Sequence, residues 1–552
     1  MADPITPGLA TAFSNTGPAA ITPAGATAFD NTAPATITPG LGTAFSNTGP
    51  TPIESGLTTE PPDNFDAAAP NPLTPPLASQ PDNQGAEAVT LNRLLQIPAE
   101  IGWPSTFPLG IEKFSNGYKT TVNPRSLVNA AIWTGPVYHV DVLNGNNSNS
   151  GLGSFEGDFS LAVRDINAAI TLGNATSAPY RVLIRGGTNR VYRDTHSING
   201  RASGWPTPPT GALVEPTQHC AFIGYGGRVD HRASKSVASF PTTKDGTYTN
   251  CYVVSSCEAT RRVMDFLDLT ALGVPEELTR LTSEIATCDT TPNSFFQSGS
   301  TLYLHRADGV APTYANTGIY CNTYTAAFLS CTTDLYFEGI DFSGGNSGAL
   351  YIDPASTRNV VAVDCMFKYA GTLESALDGL RIRRVTGRVF IKDCEAIANV
   401  KDGFNFHADG SSGMFVVTDG CAGYDNGKFT STSNNDLTYH DNVVGIDVGG
   451  VYGPTKTGAN IHIIETSKLW CLGTRGTRTV LGGSGNAVFK ASNTAELYLQ
   501  ETFATCEAAN QIALHAQGTA ALIATLNHTT TLGTNLQESG TTIEIWEREA
   551  TA

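Results

Sequence analysis

The sequence predicts an all-β repeat fold, a solenoid of short stacked strands behind an extended N-terminal arm. Three observations lead there. The 552-residue chain has 56 glycines, 4 methionines and 15% charged residues and is rich in Thr, Ser and Asn, the composition of short strands joined by tight turns. From residue 137 onward, apolar strands ending in Gly, Asn or Asp turns recur at intervals of roughly 20 to 35 residues, one solenoid rung apart. One amphipathic helical stretch stands before the first fully apolar strand, where a stacked-strand fold would otherwise expose an apolar cross-section.

The composition also excludes. A formal net charge of −17 argues against nucleic acid, because phosphate binding needs clustered Lys and Arg. No window of eighteen apolar residues occurs, so no membrane insertion is expected. The start "MADPITPG" carries Asp3 and no basic n-region before an apolar run, so no secretory signal is read there. The eleven cysteines form no C-x-x-C pair, and Cys365, Cys394 and Cys421 each follow a strand-like run, as buried reduced thiols would. No cofactor and no metal is expected.

Residues 5 to 52 are three copies of a sixteen-residue unit, "ITPGLATAFSNTGPAA", "ITPAGATAFDNTAPAT" and "ITPGLGTAFSNTGPTP". Phe13, Phe29 and Phe45 recur at one position, with too little apolar surface for each copy to fold alone. Up to Asn92 there is no Lys or Arg, and fifteen of the thirty-one prolines fall there. The reading is a repeated anchoring arm (1–57) that gains avidity from three weak contacts, a Pro-rich linker (58–92) and a neck or adaptor (93–136).

In the solenoid, "VYHVDVLNGNNSNSGLGS" is a strand running into a turn-rich loop. "DFSLAVRDINAAITLG" is a helix with Asp158 as N-cap and Gly173 as stop, and "YRVLIRGG" is a buried strand. The repeat region spans 137–530, with a terminal strand or cap at 531–552. An excursion at about 251–330 interrupts it. There "EATRRVMDFLDLTALGVPEELTRLTSEIATCD" reads as helical with Pro275 at a helix start, and "NSFFQSGSTLYLHRADGVAPT" reads as a hairpin.

The segment "VDVLNGNNSNSG…DFSLAVRDINAAI…YRVLIRGG", the "GYGG" after the next strand, and "DGFNFHADG" followed by "SNNDLTYHD" resemble right-handed parallel β-helix proteins of the pectate-lyase-like kind, particularly phage spike proteins (tailspikes and head spikes). The resemblance covers about residues 137 to 530. It implies a homotrimer on a virion surface, made in the bacterial cytoplasm, bound to capsid or tail and baseplate proteins through the arm and to bacterial surface polysaccharide through the β-helix. The same architecture serves glycosidases, lyases and purely binding proteins, so fold alone does not choose among them.

Aligning neighbouring rungs on their glycines sets "SGALYID" beside "DGLRIRR", "DGFNFHA" and "NDLTYHD". Strand period then points Ala349, Tyr351, Leu380, Ile382, Phe404, Phe406, Leu437 and Tyr439 inward. It points Leu350, Ile352, Arg381, Arg383, Asn405, His407, Thr438 and His440 outward. With strands about 4.8 Å apart, Arg383, His407 and His440 form an outward column, with Asp378 and Asp402 at its shoulder and Asp441 beside His440. This is a candidate sugar groove. Arg381, Arg383, Asn405 and Tyr439 are its candidate binding residues, and the arginines of "LRIRRVTGR" suit an acidic polysaccharide.

Asp378, Asp402, His407, His440 and Asp441 are the candidate catalytic residues. Two carboxylates about 5 Å apart fit a retaining glycosidase, and His407, His440 or Arg383 could serve as base in a lyase. Asp before Gly is also ordinary turn chemistry. A second column, Glu338, Asp364, Asp393 and Asp419, reads as calcium ligands or as solvated corner residues. Three functions remain open: a spike that adsorbs to polysaccharide, a depolymerase, and a decoration protein with no glycan affinity.

Overall fold

The computed structural model describes residues 94–547 apart from short internal segments, the longest being 193–213, together with two dipeptides of the arm. Ser14–Asn15 runs parallel to Asp30–Asn31 with Ser14 opposite Asp30, so the pairing offset (30 − 14 = 16) equals the sequence repeat. Phe13, Phe29 and Phe45 and the linker 58–92 lie outside the described residues.

From Val137 the chain winds through three sheets. The first has twelve described strands, from Val137–Val140 to Thr542–Ile545. The second has ten, from Val191–Tyr192 to Thr529–Thr531, and the third nine, from Ala326–Phe328 to Thr534–Gln537. Neighbours within each sheet are parallel and come from successive rungs, as where Leu380–Arg383 pairs with Phe404–His407 and that strand with Leu437–His440. The chain is an all-β parallel β-helix. The terminal stretch 531–552 supplies the last described rung, since Thr534–Gln537 and Thr542–Ile545 join the third and first sheets.

Period-two alternation fills the interior with one continuous apolar core that includes Phe222, Phe337, Phe342, Phe367, Phe404 and Phe406. Equivalent aromatics stack on consecutive rungs, Phe342 on Phe367 at 6.0 Å and 5°. Cys365, Cys394 and Cys421 lie in this core as free thiols. From the strand Leu335–Glu338 onward, each passage between described strands of the first and second sheets turns through a left-handed residue: Gly339, Asp364, Asp393, Gly420, Gly449, Gly473, Glu501 and Asn527, with φ between 48° and 69°. Gly, Asn and Asp tolerate that conformation, which is why the sequence punctuates its rungs with them.

The sealing helix is Ile166–Ala175, shorter than expected. Its N-cap is Asp165, whose side chain accepts from the Ala168 N–H at 2.9 Å. Asp158 caps a preceding turn instead, accepting from the backbone N–H groups of Ser154 and Ser160, which hold its carboxyl down at about 2. Gly173 is not a stop. It lies within the helix, where a Cβ would meet the Tyr180 ring at 2.4 Å, so the glycine lets the helix close onto the first rungs.

Residues 94–135 do not project as a neck. They run as a strap along the outward face of the first sheet, from its C-terminal rungs back to its N-terminal ones. Ile101, Ile111 and Tyr118 pack with Ile446, Val448, Trp470, Leu472 and Tyr498. Polar latches follow in order: Lys113 to Glu501 (2.7 Å), Thr120 to Asp419, Arg125 to Glu338 (3.1 Å) and the Asn129 N–H to Asp334 (2.8 Å).

The strap explains part of the supposed calcium column, which mixes two strand positions. Glu338 and Asp419 end first-sheet strands and hold Arg125 and Thr120. Asp364 and Asp393 are left-handed corner residues, and Asp364 pairs with Arg228.

The excursion is a β-rich lobe. Its expected long helix is instead the ten-residue strand Thr260–Leu269, paired antiparallel with Thr317–Cys321 and Pro275–Glu277. Among its described residues, helix is confined to Ile285–Thr290. Pro275 opens an edge strand, where its missing N–H costs no ladder bond. The hairpin Ser294–Ser298 and Thr301–His305 forms as its alternation predicts. Met264, Val274 and Tyr320 pack on Tyr369, Ile397 and Ala398 of the second-sheet side. The fully buried Arg262 locks this junction, pairing with Glu277 and donating to the carbonyls of Ala370 and Ala398.

Candidate functional site

The third sheet carries the residues that the sequence singled out. Leu380, Ile382, Phe404, Phe406, Leu437 and Tyr439 all lie in the core, so their neighbours Arg381, Arg383, Asn405, His407, Thr438 and His440 face outward. One rung is reversed. Leu350 pairs with Leu380 and Ile352 with Ile382, which puts both in the core and turns Tyr351 outward against Arg381. Aligning "SGALYID" by its glycine slipped that strand by one residue, and a one-residue slip exchanges the two faces. Tyr439 is removed from the binding set, since it is fully buried with its ring 5.3 Å from Phe406.

Asp378 and Asp402 stand at the corner before the third sheet, both fully buried. They belong to a side-chain ladder: Asp378 accepts from the Asp402 N–H (3.4 Å), Asp402 from the Asn435 N–H (2.7 Å), and Asn435 from the Ala459 N–H (2.9 Å). One oxygen of each thus satisfies the backbone of the next rung. The other Asp402 oxygen accepts from Asn405 at 2.7 Å, so Asn405, though outward in phase, is spent within the protein. Lys401 Nζ lies 3.8 Å from both carboxylates, and Arg381 Nε 3.5 Å from Asp378. Burial pushes the Asp402 carboxyl up, the Lys401 charge opposes this, and the Asp378 charge adds to it.

The outer row is a second cluster. The His407 and His440 rings stack at 4.0 Å and 4°. His407 Nδ1 lies 3.8 Å from Asp441, and His440 Nδ1 3.5 Å from Glu465. Arg383 pairs with Asp409 at 2.6 Å and reaches the Tyr351 hydroxyl at 3.3 Å. Asp409 and Glu465 escaped the sequence reading. Both follow their strands as left-handed corner residues, a position recognisable once Arg384 and Asp441 are set beside them.

Among the described residues, His407, Asp409 and Asp441 bring ligand atoms within 4.8 Å of one another, a geometry able to hold a cation. Arg383 already supplies positive charge at Asp409, and Asp441 accepts from the Asp409 N–H. The arginine run is likewise neutralised from within: Arg381 by Asp378, Arg383 by Asp409, Arg384 by Asp353, while Arg388 donates to the Thr106 carbonyl of the strap.

His407 is held neutral. Burial, followed by the charges of its neighbours, lowers it to about 2, and burial lowers His231 and His528 to about 4. Unfolded, each takes up a proton near pH 6.5. The stability these groups contribute is therefore complete above about pH 6.5 and is lost as pH falls toward the folded values. The melting temperature is expected to drop between about pH 6.5 and 4, and His407→Gln to shallow that drop. A flat profile in both proteins would show that these imidazoles are not buried neutral.

No known family profile matches the chain, and no curated protein matches it. Two solved structures are similar in part. One, titled "Glycoside hydrolase", aligns over 74% of this chain and 96% of its own at 8% identity and a TM-score of 0.36. The other, titled "The complex structure of XylC with xylose", aligns over 71% and 70% at 12% identity and a TM-score of 0.32. The assignment to the parallel β-helix architecture rests on the strand topology of the chain itself.

Proposed function

We propose that this chain is a spike of a phage or phage-like particle: the arm anchors it to capsid or tail, and the outward face of the third sheet adsorbs bacterial surface polysaccharide. The observation that carries this reading is which face the chain leaves to a ligand. The strap occupies the outward side of the first sheet, and the lobe packs on the second. The third presents, part-exposed among the described residues, Tyr351 and Arg381 in one row and Arg383, His407 and His440 in the row beside it, and the first row runs on to the buried His462 and His515, so four of the ten histidines share one face. Polar groups repeating about every 4.8 Å along a rigid axis suit an extended polymer with repeating hydroxyls.

A homotrimer belongs to the same proposal. Beyond the lobe, the second sheet leaves Val451 49% and Phe503 42% exposed, apolar surface that a neighbouring copy would cover. A depolymerase is the second reading, favoured by the raised Asp402 beside Asp378 and Lys401. Against it, both carboxylates are committed to the corner ladder.

Incubation with capsular polysaccharide, followed by sizing of the glycan, tests the choice. Retention on the polysaccharide with chain length unchanged is expected, and shortened chains would establish the enzyme instead. His440→Ala is expected to weaken adsorption several-fold while costing no more than about 1 kcal/mol of stability. Undiminished adsorption by this variant would move the binding face elsewhere.

A further inference from the structure

The outward row that begins with Arg381, Asn405 and Thr438 runs beside the His407–His440 row and continues past it. His462, opposite Thr438, carries it on, and Lys490 and His515 follow on the next two rungs, with Lys490 opposite His462 on one side and His515 on the other. Phe489 and Ala491, which flank Lys490 in its strand, are both in the core, so the lysine points to the groove side. It is nevertheless only 5% exposed.

Unlike the arginines of the preceding rungs, Lys490 has no hydrogen bond and no ion pair among the described residues. Burial lowers its pKa, and the carboxylate acting on it is Glu538, which also lies 3.7 Å from His515 Nε2. His515 is fully buried, and neither of its ring nitrogens has a hydrogen-bond partner. His462 shares a 2.8 Å hydrogen bond with Ser492, which stands opposite Gln517.

A buried ammonium with no direct hydrogen bond or ion pair, its nearest opposing charge the more distant Glu538, beside an imidazole with both nitrogens unsatisfied, is expensive unless something binds there. The required occupant follows from the donors. One ammonium flanked by two imidazoles, facing Glu538, matches a singly charged oxyanion.

We propose that Lys490, flanked by His462 and His515, is an anion subsite that receives the carboxylate or sulfate ester of an acidic sugar on the third-sheet face. This rests on the polysaccharide reading and narrows it to an acidic glycan. The charge that selects the glycan thus comes from Lys490, because the arginine run is already paired.

Thermal shift and titration of the full chain test it with four probes: trigalacturonate, its methyl ester, galacturonic acid and galactose 6-sulfate. Trigalacturonate is expected to raise the melting temperature and to bind about tenfold or more tighter than the methyl ester, with Lys490→Met abolishing that difference and Lys490→Arg retaining part of it. Galacturonic acid against galactose 6-sulfate tells which oxyanion fits. Without ligand, Lys490→Met is expected to melt no lower than the parent, since it removes an unpaired buried charge.

Equal binding of trigalacturonate and its ester would overturn the subsite while leaving the glycan reading standing. A Lys490-dependent shift with the two monosaccharides, alongside no retention on any polysaccharide, would do the reverse. Lys490→Met melting well below the parent without ligand, or an absence of any Lys490-dependent shift, also overturns it.

Discussion

Deleting residues 1–135 is expected to leave a chain that aggregates and loses its cooperative melting transition, whereas deleting residues 1–85 is expected to leave that transition in place. The second cut removes a unit separate from the remainder. The first cut removes the strap and uncovers Ile446, Val448, Trp470 and Leu472, all now fully buried on the outward side of the first sheet. Each such side chain loses about 1.5–3 kcal/mol of burial, and together they form a contiguous apolar patch of the kind that drives association. Glu501 loses Lys113 at the same time, while Glu338 is left with Tyr336 and Asp419 with Lys392. Calorimetry and light scattering on the two truncations decide the matter. A soluble 136–552 fragment melting like the parent would mean that the strap is a passenger.

Phe406→Ala is expected to cost roughly 3–5 kcal/mol, the range for emptying a large aromatic site in a packed core. Phe406 is fully buried, with Ile382 and Tyr439 as its register neighbours on the adjacent rungs. A solenoid interior relaxes poorly around such a hole, because each rung is hydrogen-bonded to both neighbours. Denaturant unfolding of the variant measures the loss. A change below about 1 kcal/mol would mean that the strand is turned the other way and that the groove lies on a different face.

The alternation of "LRIRR", "FNFH" and "LTYH" was legible because period two sorts one strand into two faces without knowledge of its neighbours. The same rule failed at "SGALYID", where the glycine that anchored the alignment sits one place earlier relative to the strand. Registers there are set by the pairing of Leu350 with Leu380. The strap left a trace that strand period alone does not decode. In "VGIDV", "KLWCL" and "ELYLQ" the outward phase carries Ile446, Val448, Trp470, Leu472 and Tyr498, large apolar or ring-bearing residues where a solvated face would be polar. What covers the outer side comes from more than 300 residues away, as between Lys113 and Glu501.

The sequence by itself determined the architecture, the existence of the sealing helix and the core positions of the strands Leu380–Arg383, Phe404–His407 and Leu437–His440, since each follows from local periodicity and turn residues that act within one rung. The state of the charges was decided only by the tertiary structure. The arginine run looks like a free basic patch until Asp353 and Asp409 are brought to it from neighbouring rungs and Asp378 turns back on Arg381, and Lys490 looks ordinary until its surroundings prove to hold no direct ion-pair partner among the described residues. Coulombic partnership depends on distances of a few ångströms between residues remote in the chain, and on burial that magnifies them. Neither quantity exists before the rungs are stacked.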